Sequence, residues 1–288
     1  MSELADMTKV DSQQITPPEA SAVPGRTSPK AVARPHGKRT RNLLMQFGVL
    51  VVILLLWQLT ASKEWVNRIL LPLPVDVWSA LKHGIFDGLW AQDITTTLFE
   101  TVTGFVIGVA IGLVVGAAFA FIAPLRTAFY PYVIAFMSMP KIAIAPLLIV
   151  ALGYDATPKV VIAALLAFFP VMSSATAGLT EVDPDELNLM RAMGASKARE
   201  LRYLRLPNAM SYVFPSLDVA LVGALLGAVA AELVGAKHGL GYVLTQAQAY
   251  GDIPGIYGAL ILLAIIGSLL RVVVVVVRRL LPVSIVPK

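Results

Sequence analysis

The chain contains no cysteine. That excludes a disulfide framework, a thiolate nucleophile and any cysteine-held metal. Histidine is almost as scarce: His36, His83 and His238 lie far apart and no HExxH occurs, which argues against a zinc site. Charged residues make up only 14% of the chain. No GxxxxGK[ST] is present. Gly37-Lys38-Arg39-Thr40 only approaches the ending of that motif, with Arg39 between Lys38 and Thr40 and no glycine five residues earlier, so the phosphate-cradling loop is missing. Gly239-Leu240-Gly241 lacks the third glycine and the preceding strand of a dinucleotide fingerprint and reads as an external turn. Short segments alternating apolar and polar residues, the mark of a lipid-facing barrel, are also lacking.

Apolar residues are abundant. They make up 57% of 288 residues, with a mean hydropathy of +0.75, more than a single water-soluble core of this size uses. The pattern predicts an all-α membrane protein. Residues 1–41, rich in Pro, Ser, Thr and charge, predict a disordered tail. It is no secretory leader, because the first apolar run follows only after this polar stretch. That run, 42–61, is long enough to cross a bilayer, with Trp57 as an interfacial anchor. Residues 62–94 combine prolines, charges and the amphipathic "VDVWSALKHGIFDGLW", which suits an interfacial helix or external cap. Further spans are expected at 96–122, 129–152, 159–179, 210–234 and 255–277, about six in all, with a short tail at 281–288. The net charge of +5 follows topology rather than nucleic acid. Seven Lys/Arg sit in the first 41 residues, more in 180–208 and at Arg278 and Arg279. The opposite loops hold Lys63, Arg68, Lys82, Lys159 and Lys237. By the positive-inside rule both termini and the 180–208 loop are cytoplasmic.

Two spans carry ridges of small residues. Gly104, Gly108, Gly112 and Gly116 recur every four positions, continued by Ala120, and Gly223, Gly227 and Ala231 repeat the device. Such ridges let helices approach backbone to backbone and name no function. The stretch 181–208, "EVDPDELNLMRAMGASKARELRYLRLPN", is more specific. Asp183-Pro184 followed by Asp185 and Glu186 starts a helix with its acids at the positive end of the macrodipole. Gly194-Ala195-Ser196 interrupts it near Met193. Ser196 can cap a second helix, and Glu200 stands at capping-box spacing if that helix begins just after Ser196. This helix carries Leu201, Tyr203 and Leu204 among Lys197, Arg199, Arg202 and Arg205 and ends at Pro207.

This bent cationic pair resembles the cytoplasmic loop of permease subunits of binding-protein-dependent ABC importers. There, an EAA triplet precedes a glycine by three residues, and an apolar residue, Leu and Pro follow after about nine more. Gly194-Ala195-Ser196 and Leu204-Arg205-Leu206-Pro207 match the second half, whereas Asn188-Leu189-Met190 stands where the triplet is usual. "MPKIAIAPLLIVALG" (139–153), "FFPVMSSATAGLTEVDPDEL" (168–187) and "AAELVGAKHGLGYVLTQA" (230–247) are similar to the branch importing nitrate, taurine, aliphatic sulfonates, bicarbonate or pyrimidine precursors of thiamine. The resemblance covers about 95–280. It implies a type I importer permease core in a bacterial inner membrane, working as a homodimer. It also implies an extracytoplasmic solute-binding protein outside and ATP with Mg on a partner ATPase, no cofactor being held by this chain. The ATPase coupling loop would comprise Asp185, Glu186, Arg191, Gly194, Ala195, Ser196, Leu201, Leu204 and Pro207. In it, Leu201 and Leu204 would enter a groove on the ATPase and a charged rim would orient the helix.

Ionisable residues inside a membrane mark pathways, because a charge at the helix centre costs at least about 2.5–3.5 kcal/mol. Lys141 falls near the middle of the third span beside Pro140, which loosens the helix. Two readings stand: it faces a cavity and meets an anion such as a sulfonate or carboxylate, or it pairs with an acid, Asp218 being the candidate. Glu232 lies near the outer end of the fifth span, as gate or as packing. Arg271 either snorkels toward the cytoplasm or pairs inside the bundle. Two rival classes have weaker support. An ion-coupled secondary transporter would show internal duplication, and a membrane-embedded enzyme would show acids and histidines clustered at one depth.

Overall fold

In the computed structural model the described residues are 37–280, apart from 64–65 and 68–69. Residues 1–36 and 281–288, most of the expected tails, lie outside them. Every regular element among the described residues is helical.

α1 (Gly37–Ser62) starts five residues before the expected apolar run. It crosses the boundary between two compact units, 1–51 and 52–288; the packing below is that of the second. After it come α2 (Pro74–Phe86), α3 (Ala91–Phe121), α4 (Ala123–Ser138) and α5 (Ala145–Leu152). Next are α6 (Ala156–Thr180), α7 (Pro184–Ala192) and α8 (Lys197–Glu200). The chain closes with α9 (Leu206–Gly235), α10 (Leu240–Tyr250) and α11 (Ile253–Leu280). Among the described residues five helices are long and apolar enough to cross a membrane, and α4 with α5 passes the same test only as a bent pair, which would bring the number to six.

Lipid tails are as apolar as leucine, so burial of apolar surface does not drive these helices together; close packing must. The glycine ridges supply it. α6 lies between α3 and α9, and the α3 ridge meets its backbone. A Cβ built on Gly108 would stand 2.5 Å from Ala164 O, on Gly112 2.9 Å from Phe168 O, and on Gly116 2.7 Å from Met172 O. A Cβ on Gly104 would stand 2.4 Å from Ala163 Cβ and 2.9 Å from Val160 O. On the other side, Gly227 is 3.0 Å from Ala163 Cα and Gly223 3.1 Å from Leu166 O by the same construction. Thr176 ties the seam, its Oγ1 donating to Gly116 O (3.2 Å) as well as to Met172 O (2.8 Å). Ala163, Ala167 and Val171 of α6 and Ala220, Ala224 and Ala228 of α9 fill the contact.

The amphipathic stretch is α2, with Val77, Leu81 and Gly84 buried. Gly84 lies directly against the Trp90 ring. Trp90 also packs with Leu240, Val243 and Ala259 of α10 and α11. Trp57 Nε1 donates to Pro72 O (3.0 Å), and its ring lies 6.0 Å from that of Tyr257.

Two expectations need correction. Residues 129–152 are not one loosened span: α4 and α5 meet at 86° across Met139-Pro140 and a 3₁₀ turn, Lys141–Ile144. Pro lacks the N–H that would continue the ladder, and its ring crowds the preceding turn. Pro207 does not end its helix. α8, a π-type turn (Leu201–Arg205) and α9 run on as one 39-residue helix, Lys197–Gly235. Within it Leu206 N–H donates to Leu201 O, five residues back. Widening the helix just before the proline relieves the clash its ring would cause in a regular α-turn.

Candidate functional site

The helix Lys197–Gly235 is about 58 Å long at 1.5 Å per residue, nearly twice the roughly 30 Å hydrocarbon core. Each of its ends carries a polar construction.

At the N-terminal end, Asp183 caps α7 by accepting from Asp185 N–H (2.9 Å), with Pro184 in the first turn and Asp185 and Glu186 beside it. The exit is a Schellman motif. Gly194, at φ +74°, donates to Arg191 O (3.0 Å), and Ala195 N–H donates to Met190 O (3.0 Å). Ser196 begins α8 without a side-chain cap. The expected capping box does not form: with Ser196 as N-cap the third helical position is Arg199, and Glu200, one residue further, turns inward. It is buried and accepts from Arg191 Nε at 3.2 Å, so an ion pair fixes the angle between α7 and α8. The base is clamped as well: Arg205 Nη1 donates to Leu179 O (2.8 Å), and Asn208 Nδ2 to Gly178 O (2.8 Å) and Glu181 O (2.9 Å). These carbonyls end α6 and would otherwise lack partners. A Cβ on Gly178 would stand 2.6 Å from Ala209 Cα, so α6 and α9 touch here through backbone. The bent pair is thus tied to the ends of both helices.

The apolar anchors differ from those expected. Leu201 and Leu204 are half-buried, while Leu189 (63% exposed), Met193 (77%) and Tyr203 (66%) stand outermost. Leu189 lies where the usual acidic triplet is replaced.

At the other end, Glu232 is buried and accepts from Thr97 Oγ1 (2.7 Å) and Gly241 N–H (2.6 Å). Thr97 in turn accepts from Leu240 N–H, and Asp93 from Gly239 N–H, both at 2.8 Å. Three consecutive backbone donors that open α10 thus end on side chains of α3 and α9, so the Gly239–Gly241 turn is pinned as well as sharp. Beside Glu232 lies Glu100, also buried, with both carboxylate oxygens sealed from solvent and the Glu232 carboxyl as its neighbour. Lys159 Nζ is 4.0 Å from Glu100 Oε1 and donates to Tyr154 O and Asp155 O. Lys159 was expected in an external loop; it is instead buried in the first turn of α6. Glu100 escaped the sequence reading because it opens an otherwise apolar span. An acid amid "TTTLFET" was the available signal.

Lys141 sits at the helix break, where its Nζ donates to Met137 O (3.0 Å) and lies 4.8 Å from the Phe169 ring centroid. The side chain thus caps a carbonyl that the bend has released. Its expected partner Asp218 is taken: Arg271 Nε lies 3.8 Å from Asp218 Oδ2. Pro140, Lys141, Asp218 and Glu232 therefore do not form one cluster.

A helical bundle that bears a clamped polar lever and has no nucleotide-binding loop has the make-up of a transporter's membrane subunit. The chain belongs to the family of binding-protein-dependent transport system inner membrane components, matching it over residues 104–285. A probable ABC transporter permease protein of Brucella melitensis is 33% identical over 201 residues, covering 70% of this chain and 82% of that protein. A putative aliphatic sulfonates transport permease protein of Bacillus subtilis is 27% identical over 253 residues, covering 87% and 91%. Other relatives are named for taurine, riboflavin and formylaminopyrimidine transport. Among solved structures, the inward-facing MetNI methionine ABC transporter superposes with a TM-score of 0.56 at 24% identity, covering 66% of this chain and 94% of that one. The chain is thus an ABC importer permease subunit with the fold of that class, and not an enzyme.

Proposed function

We propose that the segment 181–208 is the handle by which an ATPase subunit drives this permease, and that the solute is a small organic anion of the sulfonate or taurine kind. The carrying observation is the double anchoring of the segment: its angle is fixed by Gly194 and the Arg191–Glu200 pair, and its base by Arg205 and Asn208 on the end of α6. A groove on the ATPase would take Leu189 and Met193, with Asp185, Glu186 and Arg191 on the rim. Closure of the ATPase pair on ATP and Mg would then tilt α6 and α9 together. The glycine seam Gly104–Gly116, with Gly223 and Gly227, would pass the motion to α3. In this reading both termini and the segment are cytoplasmic, residues 95–280 form the permease core, and a second copy completes the pathway. An extracytoplasmic binding protein delivers solute at the end where Glu232 pins α10.

The anion reading is supported by the sulfonate- and taurine-named relatives. It is also supported by Lys141, which among the described residues has no carboxylate at ion-pair distance. The test is reconstitution with a partner ATPase and a solute-binding protein. ATP-dependent uptake of a labelled sulfonate, lost on Lys141→Met, is the expected result. Uptake of a neutral pyrimidine instead, unchanged by K141M, would overturn the anion reading and leave the coupling one standing.

A further inference from the structure

We infer that the cytoplasmic root of the bent segment holds the phosphate headgroup of an anionic phospholipid. A cavity of about 660 Å³ lies between the end of α3 and the segment, walled by Phe121, Arg191, Lys197, Glu200, Leu201 and Arg205. Arg191 and Glu200 neutralise each other. Lys197 and Arg205 have no acidic partner among the described residues, and Arg205 has spent one N–H on the carbonyl of Leu179. The cavity thus carries two uncompensated cations above an apolar wall of Phe121 and Leu201.

Its depth identifies the ligand. Ala120 and Phe121 close the α3 span, and the Leu179 carbonyl held by Arg205 belongs to the last turn of α6. Both apolar stretches stop at this level, so hydrocarbon gives way to headgroups here. A phosphate with donors above it and acyl chains below it matches such a site, whereas a freely soluble anion gains nothing from the apolar wall. The outermost apolar residues of the segment, Leu189 and Met193, are not among the cavity's walls. The apolar anchors of an ATPase groove and the two free cations of the cavity are therefore different residues; Arg191, which borders both, is neutralised by Glu200. Bound lipid would brace the root of the segment against α3.

The test uses the full permease–ATPase complex in nanodiscs of phosphatidylcholine with and without phosphatidylglycerol, with retained lipid counted by native mass spectrometry. Phosphatidylglycerol retention should fall about fivefold for Lys197→Gln, corresponding to about 1 kcal/mol per cation at the membrane surface. Arg205→Gln should act likewise. Arg199→Gln and Arg202→Gln, which remove equal charge outside the cavity, should leave retention unchanged. If R205Q fails to fold through loss of its Leu179 bond, K197Q decides alone. Equal loss in all variants would mean diffuse charge and would overturn the site. Displacement of the lipid by added inorganic phosphate would make it a site for free phosphate. Loss of the ATPase subunit from K197Q, with lipid retained, would make the cavity part of the protein contact.

Discussion

Gly194 offers a substitution series whose magnitude can be worked from geometry. Its φ is +74°, and a Cβ built on it would meet nothing within 4 Å. Steric exclusion is therefore absent, and only backbone conformation is tested. An L-residue in the left-handed region costs about 1–2 kcal/mol, asparagine less than alanine and a β-branched residue more. That energy is taken from the Schellman bend joining α7 to α8. The population with the correct bend should fall about 5- to 30-fold for Gly194→Ala. In proteoliposomes containing the ATPase and binding protein, solute transported per ATP hydrolysed should rank Gly, then Asn, Ala and Val. Total permease in the membrane should stay constant. Equal activity across the series, or Asn as poor as Val, would refute the argument that backbone conformation at this bend transmits force.

The opposite case is Gly108, where the added Cβ would meet Ala164 O at 2.5 Å. Gly108→Ala should cost about 1–3 kcal/mol by overpacking and appear as a lower unfolding midpoint in detergent. Removing Glu232 by Glu232→Ala would leave Thr97 and Gly241 N–H buried without acceptors. A loss of about 2–6 kcal/mol follows from two such orphans, read as faster proteolysis at the Gly239–Gly241 turn. The Arg191–Glu200 pair is half exposed on the arginine side, so a double-mutant cycle should give a coupling of no more than about 1 kcal/mol.

What the sequence disclosed depended on how local the signal was. The four-residue repeat of Gly104 to Gly116 announces a ridge on one helix face, and the structure lays that face on α6. Gly194 after a run ending in Met193 announces a helix stop because glycine alone enters the left-handed region without cost. Asp183-Pro184 announces the start for a similarly local reason. The illegible features are tertiary. Glu100, Lys159 and Glu232 are separated by dozens of residues, and each reads alone as a stray charge near a span end. Glu200 lies one residue beyond capping-box spacing from Ser196, and its actual partner, Arg191 across the bend, is nine residues back. Pro140 and Pro207 look alike in sequence. One breaks its helix by 86° and the other is absorbed by a π-type turn, a difference set by what surrounds each rather than by the proline itself.

Because the chain has no cysteine, a single one can be read without background. Met193→Cys places a thiol at the exposed tip of the segment. In inverted vesicles it should react with a membrane-impermeant maleimide, be shielded when the ATPase subunit is present, and cross-link to that subunit in a nucleotide-dependent way. Labelling only in right-side-out vesicles, or unaltered labelling with the ATPase bound, would contradict the account.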